Sequence, residues 1–422
     1  MTAAAAPVIV GESVERTPAD SPWREMERHL VRLVLAIVGF RYAFHFGATY
    51  GDVVAIFTVP LWFSAFRRYP LAAIYAGLAL ASLVAGLVLS ELSSTDHLVN
   101  SANRRDVTME LAGVILAIGV VLWARRRLRS GEIGIWFGLG MLADAALTPG
   151  SWGTNPWKFA FCMPVAVVVL GAVALQKRLG VTLTAIATLA LVSVVLDSRA
   201  YSATLALVGV LVVWRAMRAS HARGGWLRNV GLIGALAVSI YFLASSLLVN
   251  GYLGRDAQVR SIEQIRTSGS LILGGRPELA ATIALIEHRP EGYGVGVVPN
   301  PHDVLVAKSG LVGINYAPNN GYVDRYMFGG HIELHSVIGD VWANWGIIGL
   351  LLIALTAYLL IRTVAEAVSG GPPDVLVVYL CCWSMWNLAF SPFIVSVPVL
   401  VLAVALSVRP GRAVTRAGTR GS

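Results

Sequence analysis

The chain has 422 residues, of which 56% are hydrophobic and only 14% charged, and its mean hydropathy is +0.68. A soluble domain carries roughly 25% charged residues, so the composition excludes a disordered chain, a disulfide scaffold and an ordinary soluble enzyme, and indicates a polytopic, all-α membrane protein. The net charge of +9 reads as basic cytoplasmic loops rather than as a nucleic-acid surface.

Residues 1–28 start with small side chains and then turn polar and charged. No apolar core followed by a small-residue cleavage site precedes the first long apolar run, so the segment is read as a cytoplasmic tail, with a short amphipathic helix near 23–30, and not as a secretory signal. Twelve apolar stretches then follow, at about 29–46, 51–66, 70–90, 108–124, 132–148, 159–176, 179–197, 200–216, 229–249, 335–361, 374–390 and 391–408. A bilayer-spanning helix needs about 20 mostly apolar residues. The first stretch is interrupted by Arg41 and His45, the second is short, and the last two part only at Ser391–Pro392. The domain reading is therefore a tail (1–28), nine membrane helices (29–250), a long loop (251–334), three more helices (335–408) and a second tail (409–422). Cys162, Cys381 and Cys382 all lie in apolar stretches, which argues against a disulfide framework or a zinc site.

Lysine and arginine set the orientation. With the N-terminus inside, the inner segments carry twenty and the short outer loops only Arg104, Arg105, Lys158 and Arg199. The long loop carries seven, but long loops weigh little in this rule. Both termini are accordingly expected in the cytoplasm. In the long loop, 257–267 and 276–288 read as short helices, with Pro277 suited to a first helical turn. Gly274–Gly275 and the glycine-rich 290–296 read as breakers, and about 297–330 reads as irregular.

Three groups on the expected outer face stand out. Arg199 lies in the tight hairpin Asp197-Ser-Arg-Ala-Tyr-Ser, where its bland role is pairing with Asp197 and its functional role is holding an anion at the membrane edge. Arg276 begins the second loop helix, where a guanidinium and free helix N–H groups can share a phosphate. Its bland role is pairing with Glu278. His335 opens the tenth span, where an imidazole can serve as general base. Asp340 follows five residues later, to orient a polar partner or line a cavity, and Gly339, Ala343 and Gly346 have the spacing of close helix packing. There is no D-x-D, P-loop, H-E-x-x-H or G-x-S-x-G sequence, and His288, His302 and His331 lack metal-ligand spacing. No cofactor or metal is expected.

These segments resemble the O-antigen ligase/polymerase domain superfamily. The match consists of Asp197-Ser-Arg199-Ala-Tyr-Ser-Ala-Thr-Leu, then Gly274-Gly275-Arg276 through Pro290-Glu-Gly-Tyr-Gly294-Val-Gly296, then His335-Ser336 followed after nine residues by Gly346-Ile-Ile-Gly349. The second segment has one residue more than the family pattern before its final Gly-x-Gly. The resemblance spans about 190–365. It implies a GT-C-type glycosyltransferase of the bacterial plasma membrane with about twelve helices. Such an enzyme passes a glycan from a polyprenyl (di)phosphate carrier to a hydroxyl of an envelope glycan, lipid or protein on the extracytoplasmic face, without a metal and with inversion. It further implies that Arg199 and Arg276 bind donor phosphate, that His335 is the base, and that Asp340, Ser336, Gly346 and Gly349 support the site. A repeat-unit polymerase and, from another class, a transporter of lipid-linked glycans are the alternatives. Membrane lipids are expected partners and nucleic acid is not.

Overall fold

The computed structural model describes residues 22–45, 47–217, 226–252, 254–369 and 374–411. Most of the two expected tails (1–21 and 412–422) and the basic 218–225 segment lie outside the described residues. The chain is helical almost throughout, in the order α1 (Pro22–Gly39), β1 (Ala43–His45), β2 (Ala48–Thr49), α2 (Tyr50–Phe57), α3 (Val59–Trp62), a 3-10 turn (Phe63–Arg68), α4 (Pro70–Ser93), β3 (Leu98–Val99), α5 (Ser101–Ala124), α6 (Ser130–Leu147), α7 (Cys162–Gln176), α8 (Leu179–Val195), α9 (Arg199–Met217) and α10 (Trp226–Val249). The long loop holds α11 (Arg255–Ser268), α12 (Leu271–Gly275), α13 (Glu278–His288), β4 (Val297–Val298) and α14 (Pro301–Gly313). The chain ends in α15 (Val337–Ser369), α16 (Val375–Phe390) and α17 (Phe393–Ser407).

This is an all-α membrane protein. Five of the described helices are long and apolar enough to cross a bilayer: Pro70–Ser93, Ser101–Ala124, Trp157–Gln176 (α7 with the π-turn before it), Arg199–Met217 and Val337–Ser369. Three shorter apolar helices, α8, α16 and α17, accompany them. Buried positions run without a break through much of α5, α16 and α17, as expected of helices surrounded by others at the centre of a bundle. The cysteines are free and buried within it.

Three expectations are corrected. The 29–46 stretch is not one helix, because α1 stops at Gly39 and residues 43–49 turn back as a short hairpin. Arg41, which interrupts the apolar run, instead pairs with Glu110 of α5 at 2.6 Å. The 51–66 stretch breaks into α2, α3 and the 3-10 turn, with Thr49 capping α2 and Pro60 near the start of α3. Residues 297–330 are not irregular. Asn300 caps α14 by accepting from the backbone N–H groups of His302 and Asp303, and Asp303 returns the bond to the Asn300 N–H. Pro301 takes the first helical position, so Asn-Pro-x-Asp is a complete helix start.

Basic residues near the C-terminal end of α17 do structural work. Arg125 donates to the carbonyls of Ala405 and Val408, and Arg362 donates to that of Ser407. These cations sit on the carbonyl end of α17, where the helix dipole favours them.

The loop-bearing face is organised by residues 290–296, which thread between α4 and α15. α4 presents Ala72, Ala79, Ser82, Gly86, Ser90 and Ser93 as a buried stripe of mostly small residues, so α15 approaches closely. α15 is kinked at Gly346 (φ 60°, ψ −147°). The N–H groups of Tyr293 and Gly294 both donate to the Ala343 carbonyl at 2.9 Å, and that of Val295 donates to the Gly86 carbonyl at 3.2 Å. Gly294 has φ +101°, and a Cβ there would lie 2.2 Å from the Ser90 nitrogen. Gly294→Ala is therefore expected to destabilise the protein by roughly 1–3 kcal/mol through overpacking and a disallowed backbone, seen as a lower thermal midpoint in detergent. Gly313→Ala, where a Cβ meets open space, is the control. Equal midpoints for the two variants would refute the wedge.

Candidate functional site

Arg199 is placed by the turn between α8 and α9. The Ser198 N–H donates to the Ser193 carbonyl at 2.7 Å, Asp197 adopts a left-handed φ of 52°, and Arg199 becomes the first residue of α9. Its Nε donates to Asp197 Oδ1 at 3.3 Å and its Nη1 to Ser261 Oγ of α11 at 3.4 Å. Arg260, one residue before Ser261, donates to Asp197 Oδ2 at 3.2 Å. Asp197 thus holds two guanidinium groups. Partial burial opposes its ionisation, but the hydrogen bonds and charges of Arg260 and Arg199 keep it below the ordinary carboxylate range.

Arg276 follows the single turn of α12, which Ser270 caps, and precedes α13. It does not sit within the N-terminal turn of α13. Its Nη1 reaches Glu278 Oε1 at 3.3 Å. Glu278 is 1% exposed and accepts a second hydrogen bond, at 2.7 Å, from the hydroxyl of Tyr322. Burial and the Glu278 charge push the Tyr322 phenol well up, so it remains a donor.

One residue gathers these groups. Lys158, in the π-turn Trp157–Phe161 that leads into α7, lies within Coulombic reach of Asp197, Arg276, Arg199 and Arg260. These cations come from four separate segments; Asp197 binds Arg199 and Arg260, and Glu278 binds Arg276. Arg199 and Arg276 each lie within that reach of Lys158, with no hydrogen bond or ion pair between the two among the described residues, and Lys158 and Arg260 are additions that sequence reasoning missed. Lys158 is one of only three lysines in the chain and directly follows a tryptophan at the start of an apolar helix. That was the only available signal.

His335 lies two residues before α15 begins and has a left-handed φ of 54°, a conformation a residue with a β-carbon adopts at a cost of about 1 kcal/mol or more. Asp340 explains why it persists. Its Oδ1 accepts from the Leu334 N–H at 2.6 Å, and its Oδ2 accepts from the Phe393 N–H at 2.8 Å. Both oxygens hold backbone, so Asp340 ties the loop to the start of α17 and does not orient His335. Ser336 accepts from the Gly339 N–H at 3.0 Å and caps α15. Gly346 makes the kink, and Gly349 packs against Val341. The His335 ring has Glu333 as its neighbour, with Nδ1 at 3.3 Å from the Glu333 carbonyl and Nε2 at 3.8 Å from Oε1. Among the described residues no hydrogen bond or ion pair joins His335 to Arg199 or Arg276. The link is indirect: a Cβ built on Gly339 would come within 3.2 Å of Thr282, which places α13, the helix that Arg276 precedes, beside the start of α15.

A half-open cavity of about 480 Å³ lies among α1, α5, α6, α7, α9, α16 and α17. Phe159 and Ala160, which follow Lys158, line one side together with Tyr201, two residues after Arg199. Ile394 and Val395, which follow Phe393, line another. Arg199, Arg276 and His335 are not among the lining residues. His288 and His302 pack with ring centroids 4.7 Å apart and planes tilted by 46°. Among the described residues, however, no group of three or more His, Cys, Asp or Glu side chains is arranged to hold a metal ion.

No family model, curated protein or solved structure matches the chain.

The loop beside His335 carries a pH-sensitive contact, His331 Nε2 to Glu333 Oε2 at 3.2 Å. The hydrogen bond to Glu333 raises His331 above its ordinary value of 6.5 against opposing burial. The hydrogen bond from His331 lowers Glu333 below 4.5, again against burial. The His331 contribution is complete below 6.5 and is lost as pH rises through its raised value. The Glu333 contribution is complete above 4.5 and is lost as pH falls through its lowered value. The contact is therefore expected to be strongest between these two values. Titration of labelled histidine by NMR should place His331 high in the wild type and return it to the ordinary range in Glu333→Gln, and an unchanged titration would contradict the pairing.

Proposed function

We propose that this chain is a membrane glycosyltransferase that moves a glycan from a polyprenyl (di)phosphate carrier to an acceptor hydroxyl on the extracytoplasmic side of a bacterial plasma membrane. The observation that carries the reading is that Lys158 lies within Coulombic reach of Arg199, Arg260 and Arg276, which come from separate segments, while Phe159 and Tyr201, close to Lys158 and Arg199 in sequence, line a cavity. The reading includes about twelve membrane crossings in a GT-C-type arrangement, the second of them made from the broken 50–68 segment, with both termini cytoplasmic.

The chemistry suits these groups. Attack of the acceptor oxygen on the anomeric carbon forms the new glycosidic bond and breaks the bond to the phosphate oxygen. The carrier phosphate leaves with increased negative charge, and fixed guanidinium groups in a water-poor site stabilise it. Asp197 and Glu278 hold Arg199 and Arg276 in place in advance, so little reorganisation is needed as charge develops. His335 takes the acceptor proton, and a base on the side opposite the leaving group gives inversion. With the charge met by arginine, the reaction requires no metal, and activity is expected to survive chelation.

Loss of one charge-stabilising donor typically costs 10²- to 10³-fold in turnover, so Arg199→Ala and Arg276→Ala should each lower transfer by about that factor and weaken donor binding. His335→Ala should abolish turnover and leave donor binding largely intact. The deciding measurement is the pool of polyprenyl-linked glycans in cells lacking the protein, complemented with wild type or His335→Ala. Long glycans that only wild type clears would support transfer of completed chains, and single repeat units would indicate a polymerase. Full rescue by His335→Ala would overturn the catalytic reading and favour transport.

A further inference from the structure

The cavity has a polar wall that the proposed phosphate chemistry does not use. Asn387 of α16 is 2% exposed and lines the cavity. Its amide oxygen is buried without a hydrogen-bond partner. A buried amide left unpaired is costly and calls for an explanation. Asp144 of α6 also lines the cavity, and its carboxylate accepts no hydrogen bond among the described residues. Across from these, Arg41 and Glu110 form a fixed pair at 2.6 Å, with side chains 18% and 10% exposed. Tyr201 and Trp383 complete the lining as an aromatic wall, their rings parallel within 18° and their centroids 4.0 Å apart.

This set of groups selects a ligand class. A volume of about 480 Å³ falls within the range of small-molecule sites. Carboxylates outnumber the single arginine in the lining, so an anion is disfavoured there, and no metal-holding group is present among the described residues. Separate acceptors (Glu110, Asp144, Asn387), separate donors (the Asn387 amide and the Arg41 fork) and an aromatic wall match a neutral ring bearing several hydroxyl groups. We propose that this cavity is a binding pocket for a sugar ring, with Asn387 and Asp144 as its specificity-determining contacts. Placing the transferred glycan in it rests on the transferase reading. The pocket's preference for a neutral sugar rests on its own lining. The two readings connect at Tyr201 and Phe159, each within two residues of a member of the cationic cluster. A sugar in the pocket would therefore have its phosphate at the rim.

The test uses the full-length protein in detergent micelles. Methyl glycosides of glucose, galactose, mannose and N-acetylglucosamine, the amine spermidine and inorganic pyrophosphate are titrated in turn, with the thermal midpoint and tryptophan fluorescence as readouts. Saturable binding of at least one glycoside is expected. It should weaken at least tenfold in Asn387→Leu and in Asp144→Asn, with pyrophosphate binding unchanged in both. Asn387→Leu removes an unpaired polar group and should fold. If it does not, Asp144→Asn, at a half-buried position, carries the comparison. No saturable binding of any glycoside overturns the proposal. So does spermidine binding that is tighter than glycoside binding and lost in Asp144→Asn, since the pocket would then be a cation site. Glycoside binding that passes these tests, together with full cellular rescue by His335→Ala, would leave the pocket standing and remove only the transferase reading. Loss of pyrophosphate binding in Arg199→Ala and Arg276→Ala without glycoside binding would do the reverse.

Discussion

The loop-bearing face depends on one constraint, the passage of residues 290–296 through the gap between α4 and α15. A chain crossing between two packed helices must satisfy its own polar groups and leave the helices undisturbed. It does the first by donating to carbonyls that helix geometry would otherwise occupy, at Gly86 and Ala343, the latter within reach because α15 breaks at Gly346. It does the second by having no side chain at Gly292, Gly294 and Gly296, all with positive φ and all within 2.5 Å of a neighbouring atom if a Cβ were added. The helix kink and the glycine strip are thus two halves of one feature.

A polar knot secures the strip at its far end. Both ring nitrogens of the buried His97 lie 2.8 Å from carboxylate oxygens, Nδ1 from Asp96 and Nε2 from Asp303. Asp303 also accepts from the Tyr293 hydroxyl and the Asn300 N–H. Arg289 bonds Asp96 and Ser93. The hydrogen bond from His97 holds Asp96 below the ordinary carboxylate range against slight burial, with Arg289 adding to the effect. Few buried charges here are left single, which is the condition under which such a network specifies one arrangement. The strand pair Leu98–Val298 and Val99–Val297 carries the tie on to the start of α14. The position of α13, and with it Arg276 and Glu278, follows from these anchors and from its packing on α14 and the start of α15.

How far the sequence could be read follows from which interactions are local. The long helices were legible because apolar runs and their punctuation are local, and α4 and α6 through α9 lie close to the expected bounds, while α5 begins earlier than expected, at Ser101. Asn300-Pro301-His302-Asp303 was equally local, but its glycine-, proline- and asparagine-rich setting masked it as irregular chain. The Gly346 kink lay within an unbroken apolar run, and only the crossing of residue 292 beneath it shows why a glycine is there. For the site, the hairpin at Arg199 and the helix start near His335 were legible, and so was each arginine's pairing with its nearest carboxylate. Arg260 was not, because its place beside Arg199 is set by α11 docking over the α8–α9 turn, and Lys158 was not, because the turn before α7 is tied to the end of α8 by Trp157 and Asn155. Glu278 appeared to be a surface partner but is buried, because Tyr322 closes over it from 44 residues away.

The charges of the face and of the cavity form one arrangement. Lys158 and Arg199 stand next to the cavity-lining Phe159 and Tyr201 in sequence, and Asp106, Glu110 and Asp144 line the cavity with a single arginine. On the proposed reading, an anion approaching from the loop side is drawn to these cations and disfavoured among the cavity's carboxylates. A molecule that joins a phosphate to a neutral polar ring has only one orientation that satisfies both fields, phosphate at the rim and ring in the cavity. The pairing of Arg199 with Asp197 and of Arg276 with Glu278 does not weaken this argument. Each carboxylate fixes a guanidinium at a stated position while leaving part of its donor fork unused, and the cluster as a whole remains positive. Orientation on this account comes from the sign change between rim and cavity, and the bonds that hold the arginines fix where that change falls.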